Sequence, residues 1–211
     1  MSALLDGGEG AAGGLVLAHG AGAGMQHPFM AGVARGLADR GIAVLRFQFP
    51  YAERGSRRPD APELAQATVR CAVAHAARLL PGVPLFAGGK SFGGRMASQA
   101  QAAQPLPGVA GLVFLGFPLH PAGKPATARA AHLEAVRVPM LFLQGTRDAL
   151  ATLPLVTQVV DRLGEHASLH VLEGADHAFQ VLVRSGRTDA QVLEELLDTT
   201  ADWITRQLPA A

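Results

Sequence analysis

The feature that most constrains the fold is a repeated alternation of short apolar runs with helical patterns along the 211-residue chain. Most of these runs are apolar throughout, which is typical of strands that are covered on both faces. Such an alternation predicts an α/β fold, in which helices connect the strands of a mainly parallel sheet. We expect a minimal six-stranded sheet flanked by helices on both faces, with strands at Leu15–Ala18, Ala43–Phe47, Leu85–Ala87, Gly111–Leu115, Met140–Leu143 and Leu169–Leu172.

The residues between these strands carry helix start and stop signals. Pro28 opens the first helical pattern and Gly41 closes it, whereas the last pattern begins near Thr188. The other helices are predicted at Glu63–Leu80, Ser91–Gln104 and Thr152–Leu163.

The length of the chain suits one domain. We assign residues 15–211 to this domain and expect residues 1–14, which are rich in glycine and alanine, to form a flexible N-terminal segment. Residues 116–139, between the fourth and fifth predicted strands, are too few for an inserted cap domain. The sequence therefore predicts a single domain without a cap.

Composition and charge exclude several classes of protein. Hydrophobic residues make up 49% of the chain and charged residues 17%, which excludes intrinsic disorder. The formal charge is +1 without any block of five like charges, so we expect no nucleic-acid partner. The longest nearly apolar run, Gly108–Pro118, is about half of a membrane span, so we expect no membrane partner. The single cysteine, Cys71, has no disulfide partner, which fits a cytoplasmic location; the sequence does not predict the oligomeric state.

A G-x-S-x-G motif is the strongest indication of chemistry. Gly89, Ser91 and Gly93 follow a predicted strand and precede a predicted helix, the context in which this motif presents a nucleophilic serine. Glycines are needed on both sides because side chains there would collide with the neighbouring strand and helix. We predict that Ser91 is a nucleophile; the alternative is an ordinary glycine-rich turn.

The same residues admit a second interpretation, a phosphate-binding loop. Gly89, Lys90 and Ser91 match the end of the pattern G-x-x-x-x-G-K-[ST]. The first glycine of that pattern would fall where the chain has Pro84, inside a predicted strand. The segment that must wrap around the phosphates is missing, which disfavours nucleotide binding.

A nucleophilic serine needs a base, and hydrolases of this architecture supply an acidic residue and then a histidine from the ends of later strands. Asp148 and His177 each follow a predicted strand by a short loop, in that order. We predict that His177 is the base and that Asp148 orients it, although each residue taken singly could be a loop residue or a helix cap. Asp176 is expected to face its own turn, because neighbouring side chains on an extended segment point in opposite directions.

Two backbone N–H groups are candidates for an oxyanion hole. One belongs to Phe92, directly after the nucleophile, and the other belongs to Ala21, in the glycine-rich loop after the first predicted strand. The small residues of that loop allow the backbone to approach a substrate carbonyl.

Loops beyond the strand ends supply the candidates for a substrate pocket, because ligands bind at that edge of open α/β sheets. Arg46, Lys90 and Arg95 either bind an acidic substrate or form structural ion pairs. His166 and His170 are the only closely spaced histidines and lack a carboxylate to complete a ligand set, so we predict no metal and no other cofactor. The pocket candidates, whose alternative roles are core packing or a surface position, are Met25, His27, Phe29, Phe117, Leu119 and His120.

With these motifs in place, the chain resembles the α/β-hydrolase superfamily over nearly its whole length. It is most similar to the small, lidless, dienelactone-hydrolase-like branch of predicted serine hydrolases, with further likeness at residues 22–30, 46–51, 116–125 and 174–177. The resemblance implies an α/β-hydrolase fold in which Ser91, Asp148 and His177 are catalytic. Dienelactone hydrolases proper use a cysteine where this chain has a serine, which argues against that particular activity.

We therefore expect a serine hydrolase that cleaves a small carboxylic ester through an acyl-enzyme, so its partner is a small-molecule substrate. The alternative is a catalytically silent interaction module, because eukaryotic members of the same branch occur as subunits of chromatin complexes. A complete set of serine, aspartate and histidine favours the enzyme.

Overall fold

The computed structural model describes residues 1–208, so the last three residues of the domain predicted at 15–211 lie outside the described residues. Within this range one sheet contains seven strands. They are β1 (Ala3–Asp6), β2 (Gly13–Ala18), β3 (Ile42–Phe47), β4 (Leu85–Lys90), β5 (Val109–Leu115), β6 (Met140–Gly145) and β7 (Ala167–Leu172).

The strands follow the order β1-β3-β2-β4-β5-β6-β7 across the sheet. All neighbours from β3 to β7 are parallel, whereas β1 pairs antiparallel with β3. The predicted α/β fold with a mainly parallel sheet is confirmed, but the predicted count of six strands is wrong.

The additional strand, β1, lies within residues 1–14, which we expected to be flexible. It has four residues whose side chains are half-buried or exposed, so it lacks the continuous apolar pattern of the other strands. Backbone pairing with β3 orders it, and Asp6 forms an ion pair with Arg46 at 2.7 Å. Tertiary contacts therefore form a strand that the local sequence does not predict.

Helices cover both faces of the sheet. They are α1 (Pro28–Ala38), α2 (Pro50–Glu53), α3 (Pro62–Leu79), α4 (Phe92–Ala103), α5 (Leu153–Leu163) and α6 (Asp189–Arg206), with 3-10 helices at Ala128–Ala135, Gly164–His166 and Val183–Ser185. Helices α1 and α6 bury side chains such as Leu37 and Leu197 on one face, and α3, α4 and α5 bury Val69, Met96 and Val159 on the other.

The connections that leave β2 and β4 run to opposite faces of the sheet, since α1 and α4 cover different faces. Because β2 and β4 are hydrogen-bonded neighbours, this divergence opens a crevice at their carboxyl ends. The loop after β2 and the turn between β4 and α4 therefore border the same space.

No cap domain covers this crevice within residues 1–208. The segment at 116–139, between β5 and β6, has the 3-10 helix Ala128–Ala135 as its regular structure, which is too little for a second layer. Over the same residues, no helix combines the length and the apolar character needed to cross a bilayer.

Candidate active site

Ser91 occupies a strained turn between β4 and α4. Its φ of 50° and ψ of −114° lie in a region that residues other than glycine rarely adopt. The Ser91 N–H donates to the Leu115 carbonyl at 3.1 Å, and the Ser91 carbonyl accepts the Arg95 N–H at 3.1 Å. A neighbouring strand and the following helix thus hold this conformation.

Glycines beside Ser91 allow the turn to approach β2 closely. A side-chain carbon at Gly89 would lie 2.2 Å from the carbonyl oxygen of Ala18, and one at Gly93 would lie 2.5 Å from the same atom. Contacts this short are not tolerated against a backbone oxygen. The predicted collision with a neighbouring strand is thus confirmed, and that strand is β2.

Ser91, His177 and Asp148 form a continuous chain of hydrogen bonds. The Nε2 of His177 lies 2.8 Å from Oγ of Ser91, and its Nδ1 lies 2.6 Å from Oδ2 of Asp148. Because a carboxylate only accepts, Nδ1 carries the proton and Nε2 accepts the hydroxyl proton of Ser91. The His177 side chain is 25% exposed, whereas that of Asp148 is fully buried.

Two further donors hold the buried carboxylate of Asp148. The side-chain amide of Gln144 donates to Oδ2, and the Leu150 N–H donates to Oδ1 at 2.7 Å. A buried carboxylate is costly unless its oxygens accept hydrogen bonds, so these donors offset the cost of burying it. They also fix its orientation towards His177.

Asp176 precedes His177 in the chain but makes different contacts. Its Oδ1 accepts the N–H of Ala178 at 2.8 Å and the N–H of Gln180 at 3.0 Å. The prediction that this carboxylate faces its own turn is confirmed.

The loops that carry the aspartate and the histidine are joined to each other. Thr146 Oγ1 accepts the Gly174 N–H at 2.9 Å. A side-chain carbon at Gly145 would lie 2.3 Å from the Ala175 carbonyl oxygen, so glycine is needed where the two loops touch. Backbone contacts therefore help to set the distance between the side chains of Asp148 and His177.

The loop after β2 is held by two buried aromatic rings. The Nδ1 of His19 donates to the Gly20 carbonyl at 2.9 Å, and its Nε2 accepts the Phe49 N–H at 3.2 Å. The Tyr51 hydroxyl also donates to the Gly20 carbonyl, at 3.3 Å. Burial lowers the pKa of His19, so the neutral ring with this one tautomer is favoured.

Within the described residues, the N–H groups of Ala21 and Phe92 have no protein acceptor. Phe92 is the first residue of α4, where a helix leaves its N–H groups unpaired. Ala21 lines the same cavity as Ser91. Since the Gly20 carbonyl and the Ala21 N–H belong to one planar peptide, the bonds to that carbonyl also fix the direction of the N–H.

A cavity of about 340 Å³ opens beside Ser91 and His177. Most of its lining is small or apolar, and Lys90 is the one Lys, Arg, Asp or Glu among its described lining residues. Two residues predicted to bind substrate, His27 and Phe29, line it.

Two other predicted pocket residues, Met25 and His120, are held in contacts outside this lining. Met25 is 8% exposed, and its N–H donates to Oε1 of Gln48 at 2.8 Å. His120 is 1% exposed, and its Nε2 accepts the Thr152 N–H at 3.1 Å. Neither residue therefore lines the cavity beside Ser91, although both were predicted to do so.

Phe117 and Leu119, also predicted for the pocket, are buried in the hydrophobic core instead. The Phe117 ring centroid lies 5.3 Å from that of Phe114 and 5.9 Å from that of Phe142. Both residues pack on the face covered by α3, α4 and α5, whereas the cavity is lined from α1 on the other face. Their alternative role, core packing, is the one they have.

Four apolar lining residues, Ala23, Met30, Leu150 and Ala178, were missed. Each lies one or two positions from a predicted site residue along the chain. That proximity was the available signal, because a residue beside a functional side chain shares its edge of the sheet.

The three cationic candidates lie in three different environments. Arg46 is paired with Asp6 at 2.7 Å and is structural. Arg95 lies outside the cavity lining, and burial lowers its pKa. Lys90 lines the cavity and donates from Nζ to the carbonyl of His177 at 2.5 Å.

A second serine–histidine pair lies between α4 and the 3-10 helix Ala128–Ala135. Oγ of Ser98 lies 2.8 Å from Nε2 of His132 and donates to the Arg95 carbonyl at 2.9 Å. Ser98 is fully buried, and no carboxylate contacts His132 within residues 1–208. Burial, together with the charge of Arg95, lowers the pKa of His132 to about 4. The pair lacks both access and an orienting acid, so we assign it a structural role.

His170 and His166 are the closely spaced histidines of the sequence. Nε2 of His170 lies 2.8 Å from Oε1 of Glu195. Across the described part of the chain, no three His, Cys, Asp or Glu side chains are grouped so that they could hold a metal ion.

The strand–turn–helix with its serine and the two following loops match a known class of protein. The chain belongs to the alpha/beta hydrolase domain family, whose model matches residues 11–205. Membership of this family supports a hydrolase.

Solved structures share the fold of this chain, and they include lidless and dienelactone hydrolases. A lidless α/β serine hydrolase from Xanthomonas campestris is similar over 99% of this chain and 90% of its own, with 22% identity and a TM-score of 0.74. A dienelactone hydrolase from Anabaena variabilis is similar over 98% and 92%, with 22% identity and a TM-score of 0.74. An α/β serine hydrolase homologue from Coxiella burnetii is similar over 98% and 91%, with 19% identity and a TM-score of 0.73. The resemblance to the lidless, dienelactone-hydrolase-like branch is confirmed, and at these identities the likeness concerns the fold.

Proposed function

We propose that the protein is a serine hydrolase that cleaves small carboxylic esters through an acyl-enzyme. The observation that carries this proposal is the hydrogen-bonded chain from Ser91 through His177 to Asp148, whose serine end faces a cavity. Membership of a hydrolase family supports the same conclusion.

In the first half of the reaction, Oγ of Ser91 attacks the carbonyl carbon of the ester. Nε2 of His177, at 2.8 Å, takes the hydroxyl proton as the new C–O bond forms. The carboxylate of Asp148 stabilises the resulting imidazolium through Nδ1–H. The proton then passes to the alkoxy oxygen as its bond to the carbonyl carbon breaks, so the alcohol leaves and the acyl group stays on Ser91.

The carbonyl oxygen becomes negatively charged during the attack and needs donors. Within residues 1–208, the N–H groups of Phe92 and Ala21 have no protein acceptor. Ala21 lines the cavity and Phe92 directly follows Ser91, so both groups can donate to this oxygen. Donors already in place cost no rearrangement when the charge develops, which is why such groups accelerate acyl transfer.

In the second half, a water molecule replaces the alcohol. His177 takes a proton from this water, whose oxygen attacks the acyl carbon, and then returns a proton to Oγ of Ser91 as the acyl–serine bond breaks. The carboxylic acid leaves and the starting state is restored.

The cavity argues for a small substrate. Its volume of about 340 Å³ is at the low end of ligand sites, and no cap extends it within residues 1–208. Phe29, Met30 and Leu150 give it an apolar wall suited to a short acyl chain.

A fluorophosphonate probe tests the proposal, because it reacts covalently with an activated serine. We expect labelling of the wild type and of Ser98→Ala, which removes the other serine of a serine–histidine pair, but not of Ser91→Ala. Labelling of Ser91→Ala as strong as that of the wild type would place the nucleophile elsewhere. A wild type that resists both the probe and a panel of esters would favour the catalytically silent interaction module.

A further inference from the structure

Lys90, the residue before the proposed nucleophile, reaches across the sheet to the histidine loop. It is the last residue of β4, and its Nζ donates to the carbonyl of His177 at 2.5 Å. Among the described residues, Lys90 is the one side chain that donates to the carbonyl of His177. The Lys90 side chain thus links β4, which ends just before Ser91, to the backbone of His177, which contacts Ser91.

Gly116, just after β5, leaves room for this crossing. A side-chain carbon there would lie 3.1 Å from Nζ of Lys90 and 3.5 Å from Nδ1 and Cε1 of His177. The ammonium group and the imidazole ring therefore flank the same small space. The φ of 69° at Gly116 is a conformation that favours glycine, so the backbone and the two side chains fit together there.

The surroundings of the ammonium group hold it in place without neutralising it. Nζ lies 5.1 Å from the ring centroid of Phe179, which stacks on Phe29 at 5.6 Å. Lys90 forms no ion pair within residues 1–208; the nearby carboxylates, Asp148 and Asp176, make their hydrogen bonds to other groups.

The charge of Lys90 is therefore sensitive to alkaline pH. Burial lowers the pKa of Lys90 to about 8, against the opposing attraction of Asp148 and Asp176. The other titratable groups that face it are His177, across the Gly116 space, and His27, which shares the cavity lining.

We propose that Lys90 is a positioning residue for the reaction, whose ammonium group holds the peptide of His177 so that the imidazole keeps its contacts with both Ser91 and Asp148. This inference rests on the proposed function, since it assigns Lys90 a task within that site. Lys90 acts through His177, so its removal slows the chemical step rather than the binding of a small serine-reactive probe.

The test compares inactivation by a fluorophosphonate in the wild type, Lys90→Met, Lys90→Arg and Lys124→Met. Lys124→Met is the matched control, because it makes the same change at an exposed residue outside the cavity. For Lys90→Met we expect the maximal inactivation rate to fall about ten- to a hundredfold, as for a slightly misplaced catalytic group, while the half-saturating probe concentration changes little.

The pH profile separates positioning from a merely structural role. Between about pH 6 and 9.5, the wild type is expected to lose reactivity above about pH 8, as Lys90 loses its charge. Lys90→Arg keeps its charge over this range, so it should recover part of the rate lost in Lys90→Met and should lack the alkaline decline.

The outcomes distinguish this inference from the proposed function. If the wild type is labelled and Ser91→Ala is not, but Lys90→Met matches Lys124→Met in rate and pH profile, Lys90 does not position His177. A higher half-saturating concentration with an unchanged maximal rate would also overturn positioning, because Lys90 would then contact the probe. If Lys90→Met does not fold, the comparison of wild type with Lys90→Arg above pH 8 decides: identical profiles refute the inference.

Discussion

Oδ2 of Asp148 lies 2.6 Å from Nδ1 of His177, although the two residues are 29 positions apart in the chain. Asp176, directly next to His177, instead accepts two N–H groups of its own turn. The carboxylate that contacts His177 therefore comes from the loop after β6 rather than from the adjacent residue.

Exchanging each carboxylate for an amide should separate these roles. We expect Asp148→Asn to lower kcat for a short-chain aryl ester by about 10³–10⁴-fold, because an amide at this position favours the wrong imidazole tautomer. Asp176→Asn should cost less than about tenfold in kcat and act on stability, by about 0.5–2 kcal/mol, because it weakens a bond to backbone N–H groups. Steady-state kinetics on folded, purified variants checks the ranking; the opposite order would give the orienting role to Asp176.

Substrate length should reflect the small, uncapped cavity. Across aryl esters from acetate to dodecanoate, we expect kcat/KM to be highest for acyl chains of about two to six carbons, without a jump in rate when the substrate forms micelles. Leu150→Ala, which enlarges the cavity, should move this preference towards longer chains, whereas Leu64→Ala on the exposed side of α3 should not. A wild type that prefers long-chain, micellar esters would contradict the role given to this cavity.

Gly93, two residues after Ser91, should not tolerate an added methyl group. Gly93→Ala would bring a carbon to 2.5 Å from the Ala18 carbonyl oxygen, so we expect destabilisation of about 3 kcal/mol. Gly32→Ala in α1, where the nearest atom would be 3.7 Å away, should be neutral or stabilise by up to about 1 kcal/mol. Urea denaturation measures both variants. Equal midpoints for the wild type and Gly93→Ala would show that β2 and the turn are less tightly packed than the structure indicates.

Acid should destabilise the fold through His132. Its pKa lies near 4 in the folded protein, against an ordinary value of 6.5. Because the folded state resists protonation, the stabilising effect of the neutral ring is complete above about pH 6.5 and is lost as the pH falls towards 4. His132→Gln keeps a donor but does not titrate, so its free energy of unfolding should fall less over this interval, by an amount on the order of 1 kcal/mol after allowance for partial exposure. His166→Gln, at an exposed histidine, is the control and should behave as the wild type; equal slopes for all three proteins would exclude His132 as the source.

The central site can be predicted from the sequence because, from β4 to β7, the strands lie across the sheet in the order in which they follow along the chain. Ser91, Asp148 and His177 each follow a recognisable apolar strand, and parallel strands bring their carboxyl ends to one edge. No side-chain detail is needed for that step. The glycines around Ser91 add a local signal, since their positions are required by close approach to a neighbouring strand.

The remainder depends on contacts between distant parts of the chain. Strand β1 is ordered by pairing with β3 and by the bond of Asp6 to Arg46, neither of which leaves a local pattern. Phe117 is apolar and follows the end of a strand, as a pocket residue would. Its side chain nevertheless packs in the core, because it lies on the other face of the sheet from the cavity. Lys90 looks like an anion-binding residue in the sequence, whereas the fold gives it a backbone carbonyl as its partner.

The backbone of Ser91 carries a further consequence for stability. A residue with a side chain in so sparsely populated a conformation costs about 1–3 kcal/mol, which glycine would largely avoid. Selection for heat resistance alone would therefore replace this serine, and Ser91→Gly should melt at a higher temperature than the wild type. The hydroxyl returns one hydrogen bond, to Nε2 of His177, so under the proposed function the strain is a trade-off of stability against reactivity, concentrated in a single residue.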